Sequence, residues 1–579
     1  MTESEAPDAS PDGATTASSA AVGASRRNSA LVAAGILLSR LSGLVREKLI
    51  GYFLGAGVGV EAFRTALRIP NLMQNLLGEG VLSASFIPIY ARLLEEGKEE
   101  EAGKVAGAVA GLLALVAGVL VVLGVVFARP ITSVIALGFP EGSDKFELTV
   151  TLVRIITPGI GFLVLSAWCL GVLNSHRRFF LSYVAPVLWN AAMITALVVF
   201  GVRGADADTT LPVALAWGTL IGGGLQFALQ FPGVIAVTRG LRPSLDVQRR
   251  GVRRVISAFG PVVAGRGVVQ LSAYLDTIIA SFLATGAIAA LGFAQTLYVL
   301  PVSLFGMSVA AAELPELSSM DHADRASMRR RLDDGLARIA FFVAPSAVGF
   351  VIVGDLIVGL LYQGGQFGAQ ATVQVWAVLA AYSLGLLAST GARLLQSALY
   401  GVGDPRTPAK LAAVRVVLSA GLGFLLMLQL DQFQITAAEK IAQVGALPSF
   451  EIPAPEARAA EENLFRLGAA GLALAAAVAA WLEYGLLLRA VRRRFGPVKL
   501  LGNHLRPILV ATAVAAVVAG GARLVLGGLS PWIGGPIAVL TVGGAYLVTA
   551  WRLDLPELKA AADVLSRRFS GDEPADPSE

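Results

Sequence analysis

Apolar residues run through this chain in blocks of about twenty, each bounded by a short polar stretch. Blocks such as Val105 to Phe127 and Ala469 to Leu488 are long enough to cross a hydrocarbon core of about 30 Å as helix. About fourteen spans can be traced this way. They lie near 30–56, 60–92, 104–128, 147–175, 182–202, 212–238, 253–283, 287–317, 336–353, 371–399, 408–430, 464–488, 506–525 and 532–551. The pattern predicts an all-α polytopic membrane protein.

Two stretches resemble each other, "FLGAGVGVEAFRTALRIPNLMQ" from Phe53 and "FLATGAIAALGFAQTLYVLPVSL" from Phe282. Both read F-L-x-x-G, then F-x-x-x-L (Phe63 to Leu67, Phe293 to Leu297), then a proline, Pro70 or Pro301. A second proline follows in each, Pro88 and Pro315. Each copy opens six spans of the same orientation. That predicts two pseudo-symmetric six-helix lobes about an axis along the membrane normal, plus two C-terminal helices. The expected organisation is a disordered cytoplasmic tail (1–27), an N-lobe of helices 1–6 (28–238) and a cytoplasmic linker (239–252). A C-lobe of helices 7–12 (253–490), helices 13 and 14 (491–553) and a cytoplasmic tail (554–579) follow. Residues 431–462 of the C-lobe read as an outer surface loop with scattered Pro and Gly.

Composition agrees. Hydrophobic residues make up 55% and charged residues 15%, with a mean hydropathy of +0.69, whereas a soluble domain carries about 25% charged residues. The first apolar block is interrupted by Arg40 and Arg46, so it does not read as a cleavable signal peptide. The basic pI of about 9.3 follows from topology. With fourteen spans, about 30 Lys and Arg fall on one side and about 7 on the other, the positive-inside bias, which puts both termini in the cytoplasm. No aromatic-interleaved basic module points to nucleic acid.

The candidate chemistry is what remains inside the spans. Arg40, Arg46, Lys48, Arg64, Arg68, Arg154, Arg266, Arg393 and Arg415 each cost about 2.5–3.5 kcal/mol or more at a helix centre unless they face water or a partner. Five of these nine lie in the first two spans. Arg64, Arg68, Asn71, Asn75 and Glu79 follow one another at helical spacing and share a face, as do Ser39, Ser42 and Arg46. Span 7 adds Arg266 and Gln270, and Pro70 is expected to bend span 2. One reading is a hydrated cationic cavity between the lobes, suited to phosphate because the guanidinium fork matches phosphate oxygens. The other is structural, with Arg46–Glu47 and Arg64–Glu61 as locking pairs and Lys48 snorkelling. Asp276 and Glu313 are candidate ion-coupling acids or arginine partners. Nothing reads as catalytic. His176, His322 and His504 lack metal-ligand spacing, no Walker motif is present, and Cys169 is the single cysteine. No cofactor or metal is expected, and no enzyme activity.

"SRLSGLVREKLIGYFLGAG" (39–57), "EAFRTALRIPNLMQNLLGEGVLSASFIPIYARL" (61–93), "LYQGGQF" (361–367) and "YGVGDPRTPAK" (400–410) resemble the MurJ, or MviN, family. These are lipid II flippases of the multidrug/oligosaccharidyl-lipid/polysaccharide exporter superfamily. The resemblance implies fourteen helices, a central cavity for the substrate head group and a groove on helices 13 and 14 for its polyprenyl tail. It matches Arg40 and Arg46 to the family's first-helix arginines. It also matches Glu61 to its helix-2 acid, Asn71 to the asparagine after the helix-2 proline and Glu79 to its E-G pair. Two family cations are absent. The helix-2 arginine is Gln74 here, and the helix-8 arginine and acid become Thr296 and Val299 in "AQTLYVLP". Arg64, Arg68 and Arg266 are the expected substitutes.

The implied function is translocation of lipid II, a polyprenyl-diphosphate-linked peptidoglycan precursor, across the bacterial inner membrane by alternating access. An ion gradient or the membrane potential would drive it, with cell-wall synthesis proteins as potential partners. The alternatives are export of another lipid-linked oligosaccharide, or a non-transporting membrane scaffold.

Overall fold

The computed structural model describes residues 34–307, 325–460, 464–501 and 504–559. Helix α1 (34–54) turns at Gly55 into α2 (Val58–Leu77), followed by α3 (Glu79–Ser85), α4 (Ile87–Glu95), α5 (Glu99–Val126) and α6 (Ala128–Ile135). Then come α7 (Asp144–Ser175), α8 (Phe179–Val202), α9 (Thr210–Val237), α10 (Arg250–Ala280) and α11 (Ala287–Pro301). The second half holds α12 (Arg325–Ile352), α13 (Gly354–Tyr362), α14 (Ala369–Ser383), α15 (Leu386–Gly401) and α16 (Arg406–Leu430). The hairpin β1 (Phe433–Ile435) and β2 (Ile441–Gln443), short α17 (Pro455–Ala459), α18 (Gly468–Phe495), α19 (Leu505–Leu526) and α20 (Pro531–Arg552) complete it.

Among the described residues, ten helices are long and apolar enough to cross a membrane, eleven if the 43° bent pair α14–α15 is one span. Reaching the fourteen read from the sequence requires adding α1, α2 and α10. Of these, α1 carries Arg40, Arg46, Glu47 and Lys48, and α2 carries Glu61, Arg64 and Arg68. Span 2 also differs from expectation. Pro70 stays inside α2, and the chain breaks at Gly78 and Phe86 instead. Gly78 adopts extended backbone, and only there does the polar stripe change direction. At the matching place in the second half, α11 ends at Pro301 and runs on as a π-turn, Val302–Met307, the ladder rearranging around a residue with no N–H.

The helices pack as the repeat predicts. In the first half α9 lies against α7 and α8, and α2 against α7. In the second, α18 lies against α14, α15 and α16, and α11 against α14. The last two helices pair with each other and against α12 and α13, around a separate core of Phe341, Ala511, Ala515, Ala538 and Tyr546. Their outer faces leave Val517, Leu524 and Leu540 uncovered, as a lipid-facing surface should.

The linker after α9 is strapped to α5. Gly103, Gly107 and Gly111 stand one turn apart, and a Cβ on them would lie 1.8, 2.2 and 2.3 Å from the carbonyl oxygens of Arg239, Arg242 and Ser244. Any side chain there would displace the strap. Opposite this basic end, the two halves are bonded together. Gly138 N–H donates to Ser281 Oγ (2.8 Å) and Gln366 N–H to the Tyr52 carbonyl (2.9 Å). The 431–462 loop, read from sequence as a surface insertion, takes part. Arg458 Nη1 donates to the carbonyls of Gly138 (2.8 Å) and Ser281 (3.2 Å).

Candidate functional site

The centre of the polar cluster is Glu47, 6% exposed and mentioned in the sequence reading only as a neighbour of Arg46. Its two oxygens accept from Arg46 Nη2 (2.8 Å) and Arg64 Nη2 (2.7 Å). Arg46, its neighbour on α1, and Arg64 from the second turn of α2 thus converge on a single carboxylate. Arg46 continues to Asn190 Oδ1 on α8 (2.9 Å), lies 5.1 Å from the Trp189 ring centre, and Asn190 Nδ2 donates to Ser42 Oγ (2.8 Å). Arg64 crosses to the second half, its guanidinium 4.3 Å from the centre of the Phe293 ring. Gly292 makes room, since a Cβ there would meet Arg64 Nη1 at 2.5 Å.

Glu61 pairs not with Arg64 but with Lys145, and is 1% exposed. Its other oxygen accepts the N–H groups of Gly286 and Ile288, both at 2.8 Å. Gly286 has φ 104° and caps the first turn of α11. A carboxylate from one half therefore neutralises the positive end of a helix in the other. Lys48 donates to the Leu361 carbonyl (3.0 Å) and sits 3.9 Å from the Trp532 ring centre on α20.

The remaining predicted residues divide. Arg40 reaches Ser303 Oγ (2.9 Å), a further link between halves. Arg68 is half-buried within electrostatic reach of Asp276 and Tyr382, and its carbonyl accepts from Tyr274 Oη (2.5 Å). Asn71 is exposed. Gln74, Asn75 and Glu79 line, with Gly80 and Ser83, a cavity of about 500 Å³. Gln74 lies sixteen residues along from the sealed start of α2, about 24 Å at 1.5 Å per residue, so this cavity sits toward the basic end. Arg266 lies on α10, its side chain outside the described residues, and Glu313 is also outside them. A larger hollow of about 1080 Å³ runs along α8 and α9, lined by apolar groups such as Leu188, Trp217 and Ile221. It holds none of these residues.

A second polar group lies in the other half. Glu483 on α18, 2% exposed, accepts from Arg415 Nη1 (3.0 Å) and Gln396 Nε2 (3.0 Å). Tyr298 and Ser389 hydroxyls bond at 2.5 Å, and the Tyr298 ring packs tilted against that of Tyr382 at 5.3 Å. Its members are spread over five helices, so sequence spacing does not gather them. Only the cost of Arg393 and Arg415 in apolar blocks marks them. No group of three or more His, Cys, Asp or Glu able to hold a metal occurs among the described residues.

The family described as lipid II flippase MurJ matches residues 50–450. "Lipid II flippase MurJ" of Burkholderia cenocepacia is 34% identical over 403 residues, 69% of this chain and 75% of that one. "Probable lipid II flippase MurJ" of Rhizobium tropici is 34% identical over 420 residues, 71% and 77% of the two chains. Among solved structures, "Lipid II flippase MurJ, inward closed conformation" superimposes with a TM-score of 0.70 at 22% identity, covering 90% of this chain and 98% of that one. A multidrug resistance MATE family transporter of the MOP superfamily, in an inward-facing conformation, gives 0.56 at 15% identity, over 79% and 96%.

Proposed function

Since the chain belongs to the lipid II flippase MurJ family, we propose that it moves lipid II from the inner to the outer leaflet of a bacterial inner membrane. Both termini and the basic loops then face the cytoplasm, and the sealed end faces outward. The head group enters from the basic end through the cavity beside Gln74 and Glu79. Arg68, half-buried beside Asp276, meets the diphosphate, while the polyprenyl chain stays in lipid against the uncovered faces of α19 and α20.

The polar cluster assigns two kinds of work. Arg46 and Arg64 are both held by the one carboxylate of Glu47, a closed network that keeps a net positive charge while tying its guanidiniums down, so they position α1 and α2 rather than bind phosphate. Glu61 on the α11 N-terminus, with Gly138–Ser281 and Arg458, keeps the outer end shut. Opening requires these bonds to exchange for water, while the Arg40–Ser303 link, already made in this structure, keeps the halves joined further along α1. The cycle is rocking of two halves about the repeat axis. The match of the family over residues 50–450, which include Glu61, Arg64, Arg68 and Gly138, supports this reading most directly.

The test is complementation of a strain depleted of its own lipid II flippase, scored by growth and by appearance of lipid II in the outer leaflet. Rescue by the wild type with Arg68→Ala inactive supports the reading. A well-inserted wild type that never exposes lipid II refutes it.

A further inference from the structure

The family's helix-8 arginine is Thr296 here, and the structure shows that this threonine does not take its place. Its hydroxyl is turned back onto the Gly292 carbonyl of its own helix (3.0 Å). Arg64, an expected substitute, is held by Glu47 and Phe293. A diphosphate carries at least two negative charges, and of the expected substitutes whose side chains are described only Arg68 is left to meet them.

Arg393 on α15 is a cation that the closed networks do not account for. It sits eight residues inside its helix, about 12 Å from the end at 1.5 Å per residue. Its side chain is exposed, and no hydrogen bond or ion pair engages it among the described residues. An arginine at that depth is costly unless it faces water or an anion. Ser389, Arg393, Gln396 and Tyr400 recur at spacings of four, three and four, one polar face of α15. That face is turned toward the other cations. Tyr298 lies within electrostatic reach of both Arg393 and Arg415. Asp276 lies within reach of both Arg415 and Arg68. Arg415 pairs with Glu483 yet keeps 37% of its side chain exposed, leaving donors of the guanidinium fork to spare. Two arginines against one carboxylate leave a net positive charge on this wall.

We propose that Arg393 and Arg415 form the second-half wall of the diphosphate site, replacing the cation missing at Thr296 and acting with Arg68 across Asp276. The inference rests on the flippase reading above, and it names which residues of this chain recognise the ligand. Tyr298, two residues beyond Thr296 on α11, is bonded to Ser389 on α15 and so ties that helix to the face that carries Arg393.

The experiment titrates purified full-length protein with a polyprenyl diphosphate and, separately, a polyprenyl monophosphate. Arg393→Gln is expected to weaken diphosphate binding about tenfold or more, the scale of one charge-assisted hydrogen bond, and monophosphate binding less. Thr296→Arg added to Arg393→Gln is expected to restore it. Arg415→Gln is made together with Glu483→Gln so that no buried carboxylate is left unpaired, and is expected to act in the same direction. A wild type that binds the diphosphate, with Arg393→Gln binding equally well, overturns this inference and leaves the flippase reading standing. Equal loss for both ligands without rescue by Thr296→Arg assigns Arg393 a structural role and also overturns it. A wild type that binds no polyprenyl diphosphate overturns both.

Discussion

Glu61→Gln is the sharpest perturbation of the outer seal. The carboxylate holds three donors, Lys145 Nζ and the N–H groups of Gly286 and Ile288. The amide is nearly isosteric but neutral, and it presents one acceptor instead of two. A hydrogen bond to a charged group is worth about 1.5–3 kcal/mol against about 0.5–1.5 for a neutral one, so roughly 1 kcal/mol is lost per donor, about 3 kcal/mol in all. In the open state these groups meet water, and most of that loss does not apply. The closed-to-open equilibrium should therefore move by about a hundredfold, at about 1.4 kcal/mol per tenfold. Thr285 reports on it. Its side chain is 6% exposed behind the seal, and its N–H bonds the Arg458 carbonyl. Cys169, the single native cysteine, is fully buried, so Thr285→Cys gives the signal against a quiet background. Labelling of Thr285→Cys by a membrane-impermeant maleimide should accelerate about a hundredfold when Glu61→Gln is added. Lys145→Met should accelerate it less, because the helix cap survives. A labelling rate unchanged within about threefold would refute the assignment of Glu61 to the seal.

Three further outcomes follow from the same geometry. Glu47→Gln leaves two guanidinium groups facing each other, and should cost about 3–5 kcal/mol of stability. Adding Arg64→Gln should recover part of it, read by thermal unfolding in detergent. Gly292→Val drives the Arg64 guanidinium off Phe293, losing a contact worth about 1–2 kcal/mol; lipid II export should fall roughly tenfold while the melting temperature moves by only a few degrees. His176, outside the spans, has its imidazole held below the usual value, chiefly by burial and also by Arg178, against the opposing charge of Glu99; Tyr90 Oη bonds its Nε2 at 2.9 Å. The folded state therefore binds the proton less tightly than the unfolded chain. Stability should be complete above about pH 6.5 and decline as pH falls through that value toward the folded one. His176→Gln should flatten that slope in a melting series from pH 5 to 8.

The apolar periodicity made the membrane-spanning helices legible, and the F-L-x-x-G repeat predicted how the halves pack. The polar stripe on α1 and α2 was legible too, because buried charge is costly wherever it falls. Partners were not. Glu61 was assigned to a cavity, whereas its donors are Lys145 and two backbone N–H groups at the start of α11, and backbone groups leave no mark in a side-chain pattern. The break at Gly78 was missed because Pro70, eight residues earlier, is the stronger nominal breaker; a proline whose missing N–H is tolerated by neighbours need not interrupt a helix. Glu47, Glu483 and Asn190 each bind residues far away in sequence, and only the fold brings those distances to a few ångströms.

Arg458 has a pharmacological consequence. The residue that latches the halves belongs to the segment between α16 and α18, where most side chains from 437 to 459 are at least partly exposed. With the proposed orientation this segment faces the cell exterior. A macrocyclic peptide or antibody fragment gripping it could hold the carrier shut without ever entering the cell. Compounds against this step would then escape the size and polarity limits that crossing the inner membrane imposes.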